Sequence, residues 1–435
     1  MSTFEIIGGK ELSGVITPQG SKNESLQIIC ATLLTSEKIY LKNIPEIKDV
    51  INLIKLLKML GVSVKKIKPN EFLFEAKKIN KQYFKDPKFK KLGSKIRGSI
   101  MIMGPLVSRF GEAYVVKPGG DKIGRRPLDT HFNAFKETGI KVIEKNDTYH
   151  LQSSKKNKAI NITLNEASVT GTANIIMGSV LKENIDTSIY NAACEPYIQQ
   201  LCKMLKKMGA KINGIGTNLL NITGVKGLNG CEHKALPDMI EIGSWIGLAA
   251  MTQSNLTIKN ASIKNLGIIL DVFKKIGVKI STKKDDIIIK KQKSLEINTF
   301  MNGSVLTISD APWPGFTPDL ISIILVLATQ AKGSVLIHQK MFESRLFFVD
   351  KLIDMGAKII LCDPHRATVV GINREYKLRG TTMSSPDIRA GIALLIAALS
   401  AEGKSIIHNV NQIDRGYENI VKRLQNIGAK IQRVR

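Results

Sequence analysis

The sequence LKKMGAKINGI at residues 205–215 predicts a helix that ends at a glycine and is followed by a short strand. Glycine is favoured directly after a helix because it adopts positive φ without a steric penalty. The residues after Gly209 alternate between polar and apolar, as in a half-buried strand. The same pattern occurs five more times, as LLKMLGVSVKK (56–66), FKETGIKVIEK (135–145), FKKIGVKISTK (273–283), LIDMGAKIILC (352–362) and LQNIGAKIQRV (424–434).

The repeat is larger than one helix, because a second and more apolar helix followed by a short strand precedes each copy. The glycines recur at intervals of 68 to 79 residues, at Gly61, Gly139, Gly209, Gly277, Gly356 and Gly428. A module therefore consists of an apolar helix, a strand, an amphipathic helix, a glycine and two strands. The sequence predicts an α/β fold: a two-domain inside-out α/β barrel built from six repeated α/β modules, three per domain, with the apolar helices inside.

Composition narrows the class of protein. The 435 residues carry a net charge of +27, which either indicates nucleic-acid binding or reflects lysines spread over a solvated surface. The lysines are scattered rather than clustered, so we expect no nucleic-acid partner. The five cysteines and six histidines form no metal-binding motif, and we expect no metal, no cofactor and a reducing, cytoplasmic location. We expect no signal peptide and no membrane span, because the apolar runs are shorter than the roughly 20 residues that a bilayer span needs.

The starts of the apolar helices carry polar and charged residues. Capping is the ordinary explanation for side chains such as Asp238, Asp319 and Asp387. Capping does not explain cations, which oppose the helix dipole unless an anion is bound nearby. The polar and charged residues at these helix starts are Lys22, Asn23, Arg97, Ser168, Thr170, Asp238, Glu241, Asp319, Asp387 and Arg389.

The loops before the amphipathic helices carry a second set of charges. Cations at equivalent positions in several modules predict a ligand with several negative charges, held in a cleft between the domains. The chain has neither a P-loop nor a G-x-G-x-x-G motif, so a nucleotide site of those kinds is excluded. The loop residues are Asp121, Arg125, Arg126, Glu195, Arg345 and Arg415.

Six stretches of the chain resemble the enolpyruvyl transferases that act on UDP-N-acetylglucosamine and start peptidoglycan synthesis. The resemblance covers the chain from about Ile7 to its end, with the stretches in the same order. They are GGKELSGVITPQGSKNESL (8–26), RGSIMIMGPLVSRFGEA (97–113), PGGDKIGRRPLDTH (118–131), LPDMIEIGSW (236–245), FESRLFFVDKLIDMGAKI (342–359) and IDRGYENI (413–420).

The resemblance implies a reaction and a division of the chain. The enolpyruvyl group of phosphoenolpyruvate would move to the 3′-hydroxyl of UDP-N-acetylglucosamine, with release of phosphate and without a cofactor. One domain would comprise residues 22–234, and the other residues 1–21 and 235–435.

The resemblance also assigns roles to individual residues. Lys22, Arg126 and Arg415 would hold phosphoenolpyruvate, with Arg345 and Arg389 around the same pocket. Asp319 would be the base for the sugar hydroxyl, and Lys22 would share in proton transfer. The remaining substrate contacts would be Asn23, Arg97, Pro127, Leu128, Asp129, Thr130, His131, Glu166, Ala167, Ser168, Val169 and Met341.

Asp121 marks a departure from the family. Most members have a cysteine here, which donates a proton and is alkylated by the epoxide antibiotic fosfomycin. We therefore expect the carboxyl group of Asp121 to be the proton donor and fosfomycin to be ineffective. Two smaller departures are Met239, where arginine is usual, and the order Thr317-Pro318 before Asp319.

The sequence also allows two other functional interpretations. One is an enzyme of the same fold that acts on shikimate 3-phosphate, but such enzymes show a serine where this chain has Asn23. The other is a basic RNA-binding protein that has kept the fold and lost catalysis. The presence of candidate acid, base and cations together favours an enzyme.

Overall fold

A computed structural model describes residues 2–80, 82–120, 124, 126–154 and 159–434. The strands are β1 Thr3–Ile7, β2 Ser13–Ile16, β3 Lys38–Lys42, β4 Ser63–Lys68, β5 Glu71–Glu75, β6 Glu112–Val116, β7 Ile140–Lys145, β8 Thr148–Ser153, β9 Ile160–Thr163, β10 Asp186–Tyr190, β11 Lys211–Asn213, β12 Leu219–Thr223, β13 Cys231–Lys234, β14 Asn255–Ile258, β15 Ile280–Lys283, β16 Asp286–Ile289, β17 Leu306–Ser309, β18 Lys332–His338, β19 Lys358–Asp363, β20 Arg366–Ile372, β21 Thr382–Ser384, β22 Lys404–His408 and β23 Lys430–Val434.

The helices separate these strands. The α-helices are α1 Lys22–Ala31, α2 Lys48–Met59, α3 Pro87–Gly93, α4 Met103–Phe110, α5 Asp129–Glu137, α6 Val169–Ser179, α7 Pro196–Lys207, α8 Met239–Met251, α9 Ile269–Lys275, α10 Ile321–Gln330, α11 Val349–Asp354, α12 Ile388–Ser400 and α13 Ile420–Asn426. Short 3₁₀ helices span Thr32–Leu34, Tyr83–Lys85, Arg97–Ile102, Ile263–Asn265, Pro318–Leu320 and Val410–Arg415. Within the described ranges, we find no helix with the length and apolar character needed to cross a membrane.

The predicted helix–glycine–strand repeat is confirmed in all six copies. An amphipathic helix precedes each glycine, and a strand follows it: α2 and β4, α5 and β7, α7 and β11, α9 and β15, α11 and β19, α13 and β23. The six glycines have φ between +84° and +105°, which side chains with a Cβ adopt only with strain. Each glycine therefore ends its helix and turns the chain into the sheet.

The described strands form six sheets with one common arrangement. In five sheets, the strand after the apolar helix pairs antiparallel with the last strand of the module, which in turn pairs antiparallel with the strand after the glycine. In the sixth sheet, β1 takes the middle place between β22 and β23. Five sheets gain a fourth, parallel edge strand: β13, β9, β2, β17 or β21. The exception, among the strands described, is the three-stranded sheet β6-β8-β7.

Contacts divide the chain into two units, each with three of these sheets. One unit contains Gly20–Gly120 and Arg126–Leu236, and the described part of the other contains residues 2–19, 124 and 237–434. In the second unit, β1 and β2 complete the sheets of the sixth and fourth modules, although they lie at the start of the chain. In the first unit, β13 completes the sheet of the first module.

The apolar helices form the core of each unit, as predicted. In the second unit, α8, α10 and α12 pack against one another, and every residue of α8 and α10 is buried. In the first unit, α4 packs on α6, and the 3₁₀ helix Arg97–Ile102 packs on α1 and α6. Helices apolar on all sides are stable only when surrounded by protein, which explains why they lie inside.

Candidate active site

A carboxylate that bridges two arginines lies in the second unit. Asp319 accepts a hydrogen bond from Arg345 Nη2 at 2.6 Å through Oδ1, and another from Arg389 Nη2 at 2.9 Å through Oδ2. The two arginine side chains are only 9% and 8% exposed. Three residues that are distant in sequence are thus combined into one buried, charged cluster with a net positive charge.

Local sequence explains how Asp319 and Arg389 are presented. Thr317 is the N-cap of the 3₁₀ helix, accepting from Asp319 N–H, and Pro318 occupies the first helical position. Asp387 caps α12 by accepting from the N–H groups of Arg389 and Ala390 at 2.7 and 3.0 Å. The capping explanation is therefore right for Asp387, but it is wrong for Asp319, whose carboxylate binds arginines instead.

Asp238 also caps a helix, as expected. It accepts from the N–H groups of Ile240 and Glu241, at the start of α8, at 2.9 and 3.4 Å. Met239, where the family usually has arginine, is the first residue of α8 and is buried. A methionine here adds apolar contact and no charge to this helix start.

The arginines differ in how far their hydrogen-bonding groups are satisfied. Burial by itself would lower the pKa of Arg389, but Asp319, together with Tyr417 and Asp238, outweighs it and the pKa of Arg389 is raised. Arg345 Nε and Nη1 are buried and have no hydrogen-bond partner among the described residues. Leaving buried guanidinium donors unpaired is costly. Two such donors beside a bridged carboxylate are suited to an anionic ligand, because guanidinium donors pair bidentately with carboxylates and phosphates.

The turn that carries Arg415 lies beside Arg389. Arg415 ends the 3₁₀ helix Val410–Arg415, and its Nη1 donates to Gln412 Oε1 at 2.8 Å. A Cβ on the next residue, Gly416, would lie 2.5 Å from Ile388 Cγ2 and 3.8 Å from Arg389 Nη1. Only glycine permits this close approach of the turn to the start of α12. The second unit thus brings the Arg415 turn next to the Asp319 cluster.

Met341 lies on a segment held by a buried carboxylate that the sequence did not reveal. Asp310 is fully buried, and burial raises its pKa. It accepts from Lys340 N–H at 2.5 Å, from Met341 N–H at 3.2 Å and from the Gln339 amide. Met341 itself is exposed. Since its N–H is used by Asp310, we expect any main-chain contact of Met341 with a ligand to come from its carbonyl.

In the first unit, Lys22 has a buried carboxylate partner. Lys22 Nζ lies 2.8 Å from Asp49 Oδ2, and both side chains are less than 10% exposed. Ser21 caps α1, so that Lys22 and Asn23 lie in its first turn. Asp49, in the first turn of α2, supplies the anion that a cation at a helix N-terminus requires. It was missed because nothing in an amphipathic helix start marks a carboxylate as a lysine partner.

Arg97 and Arg126 are neighbours in the first unit. Arg97 Nη2 donates to the carbonyl of Arg126 at 2.7 Å, with a longer contact of 3.5 Å to the carbonyl of Pro127. Burial and the positive charge of Arg126 lower the pKa of Arg97 to about 10. Two cations so close together favour binding of an anion, which would relieve their repulsion.

The two segments expected to contact the nucleotide lie side by side. Thr130 Oγ1 donates to Glu166 Oε1 at 3.3 Å, and Ser168 caps α6. His131 is buried, and burial followed by the charge of Arg97 lowers its pKa to about 3, so it is neutral. Of the remaining positions, Leu128 is buried, Pro127, Asp129 and Glu166 are exposed, and Asn23, Ala167 and Val169 are half-buried.

Not every predicted residue can be placed. Asp121, the expected proton donor, and Arg125 lie outside the described residues. Glu195, which the sequence singled out, is buried at the N-terminus of α7. The described residues therefore form a cluster in each unit: Asp319, Arg345, Arg389 and Arg415 in one, and Arg97, Arg126, Thr130, His131 and Glu166 in the other, where Lys22 pairs with Asp49.

Comparison with known proteins defines the class. The family model for EPSP synthase (3-phosphoshikimate 1-carboxyvinyltransferase) matches residues 6–424. The enolpyruvyl transferase NikO from Streptomyces tendae has a similar structure, with a TM-score of 0.85, 20% identity, and coverage of 100% of this chain and 99% of that one. An EPSP synthase from Acinetobacter baumannii has a TM-score of 0.77 at 16% identity, over all of both chains. These structures support the fold alone, and with the family model they confirm the predicted architecture.

Sequence relatives narrow the class further. A UDP-N-acetylglucosamine 1-carboxyvinyltransferase from Bacteroides fragilis is 59% identical over 436 residues, covering 100% of both chains. An enzyme of the same name from Treponema denticola is 48% identical over 432 residues, covering 99% of both. The chain belongs to the enolpyruvyl transferase family, the resemblance inferred from its sequence is confirmed, and the protein is a transferase.

Proposed function

We propose that this protein transfers the enolpyruvyl group of phosphoenolpyruvate to the 3′-hydroxyl of UDP-N-acetylglucosamine and releases phosphate. The relatives named for this reaction support the substrate pair, since they match the whole chain at 59% identity. The observation that carries the proposal is the pair of buried Arg345 donors beside Asp319, for which the described part of the chain offers no partner. The product would enter peptidoglycan synthesis in the cytoplasm.

The cations would bind the two anionic substrates. Phosphoenolpyruvate has a phosphate and a carboxylate, for which we propose Lys22, Arg126 and Arg415 as partners, together with Arg345 and Arg389. The residues at 126–131 and 166–169, with Asn23, Arg97 and Met341, would contact the nucleotide sugar. Arginine is suited to both groups because its planar donors pair with two oxygens at once.

The reaction requires one acid and one base. Asp121 would give a proton to C3 of phosphoenolpyruvate, which makes C2 electrophilic, while the sugar oxygen forms a bond to C2. Asp319 would take the hydroxyl proton, and the two guanidinium groups beside it hold the carboxylate in the ionised form that can accept one. The tetrahedral intermediate would then lose phosphate by cleavage of the bond between C2 and the phosphate oxygen. The Asp121 carboxylate would take a proton back from C3, and the leaving phosphate would accept the proton held by Asp319. A positioned acid or base contributes about 10² to 10⁴ in rate.

A phosphate-release assay tests the choice of substrate. We expect release with phosphoenolpyruvate and UDP-N-acetylglucosamine together, and no release when shikimate 3-phosphate replaces the nucleotide sugar. Turnover with shikimate 3-phosphate would contradict the proposal. RNA binding that weakens with salt, without turnover of either pair, would favour the RNA-binding alternative.

Variants at residue 121 test the proposed acid. Asp121→Asn has nearly the same shape but cannot donate a proton, so we expect kcat to fall by about 10² or more. The wild type should keep its activity in fosfomycin, whereas Asp121→Cys should be inactivated stoichiometrically, because a thiolate opens the epoxide. The exposed Cys362 serves as a control, since Cys362→Ser should leave these responses unchanged. Rapid inactivation of the wild type by fosfomycin would exclude the proposed role of Asp121.

A further inference from the structure

Gln19 uses its main chain and its side chain in four hydrogen bonds. Its N–H donates to Glu241 Oε2 at 2.7 Å, and its carbonyl accepts from Asp238 N–H at 2.9 Å. Its side-chain Nε2 donates to the carbonyl of Gly416 at 2.7 Å, and its Oε1 accepts from Glu418 N–H at 2.7 Å. The residue is 7% exposed. The use of all four polar atoms of a buried residue in hydrogen bonds indicates a specific structural task.

The side chain of Gln19 holds the segment that directly follows Arg415. Gly416 and Glu418 lie between the 3₁₀ helix that ends at Arg415 and α13. The Gly416 N–H still donates to the Ile413 carbonyl of that 3₁₀ helix, whereas the Gly416 carbonyl and the Glu418 N–H bond to Gln19. A single amide group bonded to the carbonyl of one and the N–H of the other fixes both the position and the direction of this turn. The amide orientation is unambiguous, since one partner can only accept and the other can only donate.

The main chain of Gln19 attaches the same turn to α8. Glu241 and Asp238 lie in the first turn and at the N-cap of α8. Tyr417, within the turn, hydrogen-bonds through its hydroxyl to Ser244 Oγ on α8 at 2.8 Å. Residues 241 and 244 are three apart on the helix, so they share one face. The turn after Arg415 is therefore fastened to one face of α8 at two points.

We propose that Gln19 is a positioning residue that sets the location of Arg415 relative to Arg389. This inference rests on the proposed function, in which Arg415 binds phosphoenolpyruvate. Gly416 touches the start of α12 where Arg389 lies, so a shift of the turn would change the separation of the two guanidinium groups. An anion held by both groups would then bind less well, while contacts with the nucleotide sugar would be unaffected.

The chain contains a matched control for this amide. Gln292, in the same unit, donates from Nε2 to the carbonyl of Gly277 at 3.0 Å and accepts at Oε1 from Lys279 N–H at 2.8 Å. Like Gln19, it bonds to a glycine carbonyl and to the N–H two residues later, and it is 9% exposed. The turn that it holds follows α9 and carries no proposed site residue. Substitutions at Gln292 therefore measure the effect of losing such a pair of buried amide hydrogen bonds at a turn outside the proposed site.

The test compares Gln19→Met and Gln19→Glu with Gln292→Met and Gln292→Glu in full-length protein. Methionine keeps the shape without the hydrogen bonds, and glutamate places an oxygen against the Gly416 carbonyl. We expect the Gln19 variants to raise KM for phosphoenolpyruvate about tenfold, equivalent to about 1.4 kcal/mol, with KM for UDP-N-acetylglucosamine unchanged. The Gln292 variants should change neither KM. Equal KM values for phosphoenolpyruvate in the two sets would overturn the inference.

Hydrogen exchange separates this inference from the proposed function. The Glu418 amide should exchange faster in Gln19→Met than in wild type, with no change at this amide in Gln292→Met. Wild-type protein that exchanges as expected but turns over no phosphoenolpyruvate would refute the proposed function and, with it, the link to this substrate. Faster exchange without a change in KM would instead refute the positioning role while leaving the function intact.

Discussion

The side-chain amide of Asn174 determines which nitrogen of the His131 ring carries the proton. Asn174 Oδ1 accepts from Gly104 N–H at 3.0 Å, and Nδ2 donates to the Ile100 carbonyl at 3.0 Å, which fixes the amide orientation. Nδ2 also lies 2.9 Å from His131 Nδ1, which must then accept. The proton is therefore on Nε2, which donates to Thr170 Oγ1 at 3.1 Å. The Thr170 hydroxyl hydrogen is left to point elsewhere.

We expect His131 to remain neutral well into the acid range. The pKa of His131 is about 3 in the folded protein and ordinarily about 6.5. Between these two pH values, the ring is therefore protonated in the unfolded state and neutral in the folded state. Stability is thus present above pH 6.5 and is lost as pH falls toward 3. Between pH 7.5 and pH 5 this group should cost about 2 kcal/mol of unfolding free energy.

Ring NMR spectra and denaturant unfolding check this expectation. The spectra should show the Nε2–H tautomer of His131 without titration above about pH 4. His131→Gln should remove this part of the acid sensitivity, whereas His408→Gln, at an exposed histidine, should not. A His131 ring that titrates near pH 6.5 would contradict the assignment.

The order Thr317-Pro318, which inverts the family pattern, has a local physical explanation. Threonine is favoured as an N-cap, and proline is favoured at the first helical position because its missing N–H would be unpaired there. The structure places the two residues in these positions. The inversion therefore preserves the start of the helical turn that presents Asp319.

The helix-ending glycines are the elements that turn each amphipathic helix into its sheet. Gly428, between α13 and β23, has φ of +100°, and a Cβ built there would have no heavy atom within 4 Å. Its conformation alone, rather than crowding, therefore requires glycine. Gly227 also has open space around its Cβ position, but its φ lies outside the left-handed range.

These two glycines make a matched pair of substitutions. Gly428→Ala should lower the free energy of unfolding by about 1–2 kcal/mol, since an L side chain resists this φ. Gly227→Ala should be neutral or slightly stabilising, because it restricts the unfolded chain. Denaturant unfolding measures both. Equal effects from the two substitutions would show that the backbone conformation at Gly428 is not the reason why glycine recurs at this position in all six modules.

The charge of the whole molecule should act on the proposed anionic substrates from a distance. A net charge of +27 attracts phosphoenolpyruvate and a nucleotide sugar, and salt screens this attraction over a Debye length of about 10 Å at 0.1 M. The buried pairs, such as Lys22 with Asp49, are screened much less than exposed lysines.

We expect salt to slow capture of the substrates but not their conversion. Raising NaCl from about 50 to about 500 mM should lower kcat/KM for both substrates by about threefold or more, with kcat unchanged. A nonionic osmolyte at the same osmolality is the control and should have no such effect. If kcat/KM is insensitive to salt, the overall charge plays no part in substrate capture, and the lysines only solvate the protein surface.

Much of the fold follows from local signals in the chain. A helix that ends at glycine, such as α7 at Gly209, is determined by residues within a few positions of one another, so the six modules could be predicted. The central position of α10 also follows from sequence, because most of its side chains are apolar and lie on all sides of the helix. The sheet partners of β1 and β2 could not be predicted, since nothing within these two strands indicates which distant sheet each one joins.

The site was predictable in its residue types but not in its pairings. Arg345, Arg389 and Asp319 were recognisable as charged residues in repeated positions, and the family resemblance gave Asp319 its expected role as the base. Their joint hydrogen bonds could not be predicted, nor could the partnership of Lys22 with Asp49.

By itself, the sequence determined the six modules, their glycine turns and the family. Only the tertiary structure decided which strands complete the sheets, which carboxylate neutralises which cation, and that Gln19 fastens the turn beside Arg415, almost 400 positions away along the chain. The physical reason is that turns and helix ends depend on neighbouring residues, whereas a hydrogen bond between distant segments depends on how the whole chain packs.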